Sequence, residues 1–150
     1  MNRLAKTVGG AGIAASLIAL VAAWEGKSND PYRDLVGVWT VCYGETNVPM
    51  RRYTDAECEA MLADSLDAYA NDVKRLTPHL KGNQLIAATS LSYNIGVSAY
   101  ARSTVRRRFN AGDLRGGCEA FLMWTKAGGR EVKGLRKRRE AERKVCLTGL

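Results

Sequence analysis

A stretch of 18 uncharged residues, 7–24, constrains this chain more than any other feature of its sequence. Arg3 and Lys6 precede the stretch, and Glu25 follows it directly. Basic residues before an apolar run predict an orientation with the N-terminus in the cytoplasm and the remaining chain outside. The length of the run is near the lower limit for a membrane-spanning helix, which needs about 20 residues. The sequence therefore predicts an N-terminal apolar helix that can enter a membrane.

The composition of this run predicts that a bilayer would hold it only weakly. Nine of its 18 residues are glycine or alanine. These side chains bury little apolar area, so their transfer into lipid releases less free energy than that of a leucine-rich helix. Three interpretations stay open: a cleaved signal peptide, a permanent anchor, or a weak anchor that later leaves the bilayer. We accordingly divide the chain into an apolar segment, residues 1–24, and a domain of residues 25–150.

The net positive charge of the chain comes from its last third, residues 102–150. The net charge is +8; residues 1–101 carry 9 Lys and Arg against 10 Asp and Glu, whereas residues 102–150 carry 14 against 5. A basic half favours a polyanionic partner, such as nucleic acid, an anionic membrane or an envelope polymer, with a solvated helix face as the alternative. Glu140 and Glu142 reduce the positive charge of the last basic run, and no aromatic residues interleave with its arginines. Both observations argue against nucleic acid as the partner.

Two classes of site are disfavoured by what the sequence lacks. It contains no glycine-rich phosphate loop, so no nucleotide cofactor is expected. His79 is the only histidine and no C-x-x-C motif occurs, so a metal centre is disfavoured.

The four cysteines are typical of an exported protein with disulfides, and they are Cys42, Cys58, Cys118 and Cys146. Of three possible pairings, proximity in sequence favours Cys42 with Cys58 and Cys118 with Cys146; four buried free thiols are the alternative.

The order of predicted elements indicates an α+β fold, in which a small antiparallel β-unit separates an apolar helix from a run of helices. Residues 26–31 read as a breaker, and the β-branched and aromatic residues of 32–49 predict two or three short strands. Thr54 and Glu57 form a capping box that opens a long helix to about Leu76. Further helices are predicted over residues 83–95, 103–111 and 113–124, and after a glycine-rich loop at 127–130 a last helix reaches Leu147.

Two acidic residues flank the boundary between the apolar helix and the β-unit. Glu25 follows Trp24, and Asp34 lies nine residues later. Because desolvation disfavours a charged carboxyl, we expect Glu25 to keep its proton and Asp34, in a polar turn, to stay ionised. Such a pair supplies the acid and the base that cleavage of a glycosidic bond requires, and Thr40 could hold the attacking water. On spacing alone, a helix-terminal Glu and a turn-capping Asp remain the simpler interpretation.

The ordered string around these residues is far more specific than their spacing. Residues 24–46 read WEGKSNDPYRDLVGVWTVCYGET. This string resembles the catalytic segment of the phage-type lysozymes, the endolysins of glycoside hydrolase family 24. The TDAE capping box, the SYNIG segment at 92–96 and WTKAGGREVKGLRKRREAE at 124–142 extend the resemblance over roughly residues 20–147.

The resemblance implies a fold, a reaction and a set of site residues. The fold would be mainly helical, two-lobed and lysozyme-like. Glu25 would be the general acid, Asp34 the general base and Thr40 the water-positioning residue, while Tyr93 and Asn94 would line the sugar groove. The substrate would be peptidoglycan, cut with inversion at the β-1,4 bond between N-acetylmuramic acid and N-acetylglucosamine. An inverting mechanism predicts a carboxyl separation of about 6.5–9.5 Å.

Further expectations accompany the same resemblance. An arginine from residues 136–139 would contact Glu25. Cys42 stands where the family often has glycine, and Glu45 where it often has histidine, which puts the hydrogen bonding of the β-unit in doubt. Glu45 would raise the pKa of carboxyls close to it. No cofactor or metal is expected, and the enzyme would act as a monomer on glycan strands.

The apolar run adjoins Glu25, and the chain in this respect resembles the signal-anchor-release endolysins. Residues 7–24 cannot lie in the inner membrane and also position Glu25 against the helical body. A tethered form would therefore be inactive at the membrane, and a released form would be active in the periplasm. Two other classes stay open: a tethered module that binds cell-wall polyanions without cleaving them, and a lytic transglycosylase, which needs one acid and no hydrolytic water.

Overall fold

The computed structural model describes residues 2–150 and has the predicted α+β composition, mainly helical with small antiparallel sheets. The α-helices are α1 Arg3–Val8, α2 Ala11–Ala22, α3 Asp55–Leu76, α4 Gly82–Ile95, α5 Val97–Ala101, α6 Thr104–Asn110, α7 Leu114–Glu119 and α8 Lys133–Leu147. A 3-10 helix spans Ala120–Met123, directly after α7. The strands are β1 Ser28–Arg33, β2 Trp39–Cys42, β3 Lys126–Ala127 and β4 Arg130–Glu131.

The N-terminal apolar run forms parts of two helices instead of one continuous helix. α1 ends at Gly9, where φ is 97°, and α2 begins after Gly10, where φ is 153°. Glycine adopts these angles without the steric cost that other residues meet, so the pair allows the chain to turn between the helices. Among residues 2–150, no helix combines the length and the apolar character needed to cross a membrane.

Both N-terminal helices pack into the main hydrophobic core. Leu4 and Val8 of α1 and Leu17 and Val21 of α2 are buried together with apolar residues of α3 and α4. The solvent-facing side of α2 is composed of small residues, namely Ala11, Gly12, Ala15, Ser16 and Ala19. The helix therefore has a large apolar face toward the protein and a small-residue face toward water.

The β-unit is a two-stranded hairpin that begins earlier than predicted. β1 starts at Ser28, inside the segment interpreted as a breaker, and contains Pro31. The register of β1 against β2 shifts between Ser28 and Tyr32, so Pro31 lies at a bulge. Proline is tolerated in a strand at such an irregularity because the ladder there does not need its missing N–H. Beyond the bulge, Tyr32 pairs with Thr40.

The long helix α3 begins and ends where the capping box and Leu76 predict. The Thr54 hydroxyl accepts a hydrogen bond from the Glu57 amide, and the Glu57 carboxylate accepts one from the Thr54 amide. α4 is the central helix, with residues 85–92 all buried, and it ends at Gly96 as predicted. The short helix α5 was not predicted. The glycine-rich loop forms the turn of the β3–β4 hairpin, in which two consecutive glycines have positive φ.

Two disulfides confirm the pairing favoured by proximity in sequence. Cys42–Cys58 joins β2 to the first turns of α3, and Cys118–Cys146 joins α7 to α8. Cys42 has a φ of 60°, in the left-handed region that favours glycine. The bond to Cys58 ties this residue of β2 to α3.

Candidate active site

Glu25 lies at the end of α2, and its carboxylate faces an arginine. The Glu25 amide donates to the Val21 carbonyl at 3.1 Å, so the residue continues the last helical turn. Arg138 Nη1 on α8 donates to Glu25 Oε1 at 2.8 Å, and the two side chains are 5% and 26% exposed. Arg138 is therefore the contacting arginine expected from residues 136–139. The apolar environment predicted from Trp24 was wrong, because Trp24 is 37% exposed and a guanidinium faces the carboxylate.

Asp34 occupies the turn between β1 and β2, the polar setting that the sequence predicted. Its Oδ1 accepts hydrogen bonds from the amides of Val36 at 3.0 Å and Val38 at 2.8 Å. The turn is closed by two backbone bonds, from Asp34 to Val38 and from Gly37 to Asp34, both 2.9 Å long. The carboxylate is thus held by the turn itself, and its orientation does not depend on another side chain.

Thr40 lies on β2 opposite Tyr32, and its side chain is oriented by the same turn. The residue is 4% exposed, and Oγ1 donates to the Val38 carbonyl at 3.0 Å. Because the hydroxyl hydrogen is engaged by the backbone, the oxygen lone pairs are left to accept a bond from a ligand or a water. The hairpin therefore presents one acidic and one hydroxyl group from a single rigid segment.

Tyr93 and Asn94 lie at the C-terminal end of α4. The Tyr93 hydroxyl donates to the Tyr43 carbonyl at 3.4 Å, and its ring meets that of Tyr69 edge-on, with centroids 5.1 Å apart. Burial raises the pKa of Tyr93 to about 12, and the negative charges of Glu25 and Glu45 add to the shift. Tyr93 is therefore a neutral donor near Glu25. The side-chain Oδ1 of Asn94 accepts a hydrogen bond from Arg139 Nη2 of α8.

Glu45 bears a half-buried carboxyl between the β-unit and α3. Its Oε1 accepts a hydrogen bond from Ser65 at 3.0 Å. Burial raises the pKa of Glu45 and Asp64 adds to the increase, while the bond from Ser65 opposes it. The negative charge of Glu45 also acts on Tyr93 of the site, whose pKa it helps to raise.

A buried ionic cluster behind Glu25 was missed by the sequence analysis, which interpreted Glu142 only as a dilution of a basic surface. Arg138, Arg139 and Glu142 are all buried. Arg138 Nε lies 3.3 Å from one Glu142 oxygen, and Arg139 Nε lies 3.2 Å from the other. Ser90 donates to the same carboxylate. The i,i+3 and i,i+4 spacings of these residues were the available signal, since such pairs are neighbours on a helix.

Desolvation governs the ionisation of this cluster. Burial raises the pKa of the Glu142 carboxyl, and the adjacent guanidinium groups of Arg139 and Arg138 oppose the increase. Burial also lowers the pKa of Arg139, with Glu142 opposing that shift. Together with Glu25, the cluster contains two carboxyls and two guanidinium groups, so its formal charges cancel. Within residues 2–150, no three His, Cys, Asp or Glu side chains are grouped so as to hold a metal ion.

Comparisons with known proteins give a consistent result. The family model described as Phage lysozyme matches residues 22–142. The SAR-endolysin of Enterobacteria phage P21 is 39% identical over 158 residues, which cover 97% of this chain and 94% of that protein. A P22 lysozyme mutant of known crystal structure has a TM-score of 0.81 and 29% identity, over 89% of this chain and 97% of that one.

A further solved structure, the active form of the P1 phage endolysin Lyz, has a TM-score of 0.78 and 26% identity, over 89% of this chain and 84% of that one. These likenesses extend over the α+β fold described above. The range matched by the family model contains the site from Glu25 to Glu142.

Proposed function

The chain belongs to the phage lysozyme family and is thus a hydrolase of bacterial cell walls; we propose that it cuts the β-1,4 bond between N-acetylmuramic acid and N-acetylglucosamine in peptidoglycan. In this proposal Glu25 is the general acid, Asp34 the general base and Thr40 the residue that positions the water. The observation that carries it is the Glu25–Asp34–Thr40 set, in which each side chain is held by its own hydrogen bonds.

The acid step uses the contact between Glu25 and Arg138. Glu25 transfers its proton to the glycosidic oxygen as the bond to the anomeric carbon breaks. Arg138 donates to Oε1, so Oε2 is the oxygen left to carry the proton toward the sugar. The carboxylate that remains after transfer is stabilised by the charge-assisted bond from Arg138.

The hydrolytic step uses Asp34 and Thr40 of the β1–β2 hairpin. A water donates one hydrogen to Thr40 Oγ1, whose own hydrogen is engaged by the Val38 carbonyl, and the other to Asp34. Since Asp34 Oδ1 already accepts two backbone bonds, Oδ2 is the oxygen that takes the proton. The water oxygen then attacks the anomeric carbon from the face opposite the leaving group, which inverts its configuration. Tyr93 and Asn94 are proposed to bind the sugars beside this water.

Three variants and one product assay test this reaction. We expect Glu25→Gln to fold but to lose its activity against purified peptidoglycan, at least about 10²-fold, because the amide cannot donate an acidic proton. Thr40→Ala should lower activity while Thr40→Ser, which keeps the hydroxyl, should retain more of it. Anhydro-sugar products in place of reducing ends, or a fully active Glu25→Gln variant, would refute the hydrolytic assignment.

We also propose that residues 7–24 anchor the chain in the inner membrane before release, with the N-terminus in the cytoplasm and the catalytic domain in the periplasm. The relatives named SAR-endolysin support this proposal, as does the composition of α2. Its small residues face water when it is packed on the protein, and the same residues weaken its hold on lipid. One helix can therefore exist in both environments.

The tethered form would be inactive in this proposal because α2 positions Glu25. Leu17 and Val21 are fully buried against the helical body, and Glu25 bonds to Val21 one turn later. A chain with residues 7–24 in the bilayer lacks this packing, so Glu25 is not held at Arg138. Every residue of the proposed site comes from one chain, and a monomer is sufficient for the reaction.

A further inference from the structure

Glu142 is a fully buried acidic residue that the proposed reaction does not use. Its side chain is 0% exposed on α8, and carboxylates are rarely buried to this extent unless they are paired. Both oxygens are close to cations, one to Arg138 and the other to Arg139. The Ser90 hydroxyl of α4 adds a hydrogen bond to the oxygen that faces Arg138.

Arg138 bridges Glu142 and the catalytic acid. Its Nη1 donates to Glu25 at 2.8 Å, its Nε donates to Glu142 at 3.3 Å, and its Nη2 donates to the Ser90 carbonyl at 3.4 Å. A guanidinium group is a rigid planar fork, so fixing two of its nitrogens fixes the direction of the third. Glu142 and the Ser90 carbonyl therefore orient the nitrogen that contacts Glu25.

Charge gives Glu142 a second effect on Glu25. Within residues 2–150, the charged side chains in ion pairs with Glu142 or its arginines are Arg138, Arg139 and Glu25, and Glu45 acts on the same Tyr93 as Glu25 does. Helix α4 contributes two neutral side chains. Asn94 contacts Arg139, and Tyr93 lies near Glu25. The acid of α7, Glu119, is engaged at the surface by Arg143, as are Glu131 and Glu140 by Arg136. Without Glu142, two buried cations would face a single carboxyl, Glu25.

We propose that Glu142 is a positioning residue for the catalytic acid: it directs Arg138 toward Glu25 and cancels one of the two buried cationic charges beside that carboxyl. This inference rests on the proposed role of Glu25 as general acid. It assigns to the last helix a part in setting the pH range over which the enzyme is active.

The variant Glu142→Gln tests the charge effect. It keeps the size of the side chain and removes its negative charge, so the ionised form of Glu25 becomes more favourable. We expect the alkaline limb of the activity profile, where the acid loses its proton, to move to lower pH by on the order of one unit. Glu140→Gln is the matched control, since it makes the same change in net charge at an exposed site on the same helix and should leave the limb in place.

Arg139→Gln tests the same idea in the opposite direction. It removes a cation, so the alkaline limb should move to higher pH, and the double variant with Glu142→Gln should return close to the wild-type position. Glu142→Asp keeps the negative charge, so the alkaline limb of the activity profile should stay at the wild-type pH. This set stays informative if Glu142→Gln alone does not fold, because the double variant leaves no uncompensated charge in the cluster.

The readout is the release of reducing ends from purified peptidoglycan between about pH 5 and about pH 9, with the melting temperature of each variant measured in parallel. Opposite shifts of the limb in the Glu142→Gln and Arg139→Gln variants would support the proposal. Unshifted limbs, with or without lower melting temperatures, would overturn it and leave Glu142 a structural residue. Full activity of Glu25→Gln is a separate outcome, which would reject the proposed acid and not the packing around Glu142.

Discussion

Leucine substitutions on the exposed face of α2 test the release proposal most directly. Ala15 and Ala19 face water in the folded protein, so larger side chains there do not disturb the core. Each Ala→Leu change adds about three carbons, worth about 2.4 kcal/mol in lipid and about 5 kcal/mol for the pair. Since about 1.4 kcal/mol is a tenfold change, the ratio of membrane-bound to soluble protein should rise by up to about 3 × 10³.

The assay is membrane fractionation of host cells at intervals after expression, together with the timing of lysis. The Ala15→Leu/Ala19→Leu variant should stay in the membrane fraction and delay lysis. Ala56→Leu/Ala60→Leu is the control, because it adds the same apolar area at exposed positions of α3, outside the apolar run. Release and lysis at the wild-type rate in the α2 variant would refute the reasoning, as would an equal delay in the control.

Two further predictions concern stability. Replacing Cys118 and Cys146 with serine opens a bond that spans 28 residues. The chain-entropy model then predicts a loss of about 3.6 kcal/mol in the free energy of unfolding, measurable by urea denaturation, and an unchanged midpoint would contradict it. Burial raises the pKa of Tyr93 and of Tyr100 to about 12, from 10.0. The native state thus keeps these protons longer than the unfolded state, so stability should fall as pH rises from about 10 to about 12. Tyr93→Phe should reduce this fall, and an identical dependence on pH in wild type and variant would exclude a contribution from Tyr93.

Features encoded by nearby residues were predictable from the sequence. The capping box at Thr54 needs a partner only three residues away, and the structure forms it. The polar turn at Asp34 is likewise local, because both amides that hold its carboxylate lie within four residues. The pairing of Cys42 with Cys58 was favoured by proximity alone.

What the sequence did not predict depends on packing between distant segments. The partner of Glu25 is 113 residues away, and only the packing of α8 against α4 selects Arg138 from its neighbours. Glu142 was misinterpreted because an acid in a basic run indicates a surface unless the buried face of the helix is known. Residues 26–31 were interpreted as a breaker, whereas β1 begins at Ser28 and the bulge between Ser28 and Tyr32 accommodates Pro31.

The bond between Glu25 and Arg138 has a consequence for synthesis. Glu25 leaves the ribosome early, while the guanidinium that orients it belongs to one of the last segments translated. Nascent chains and products of premature termination upstream of α8 therefore contain Glu25 without its partner. If Glu25 is the proposed acid, the catalytic centre is complete only after translation has passed Arg138, whatever the state of the N-terminal run.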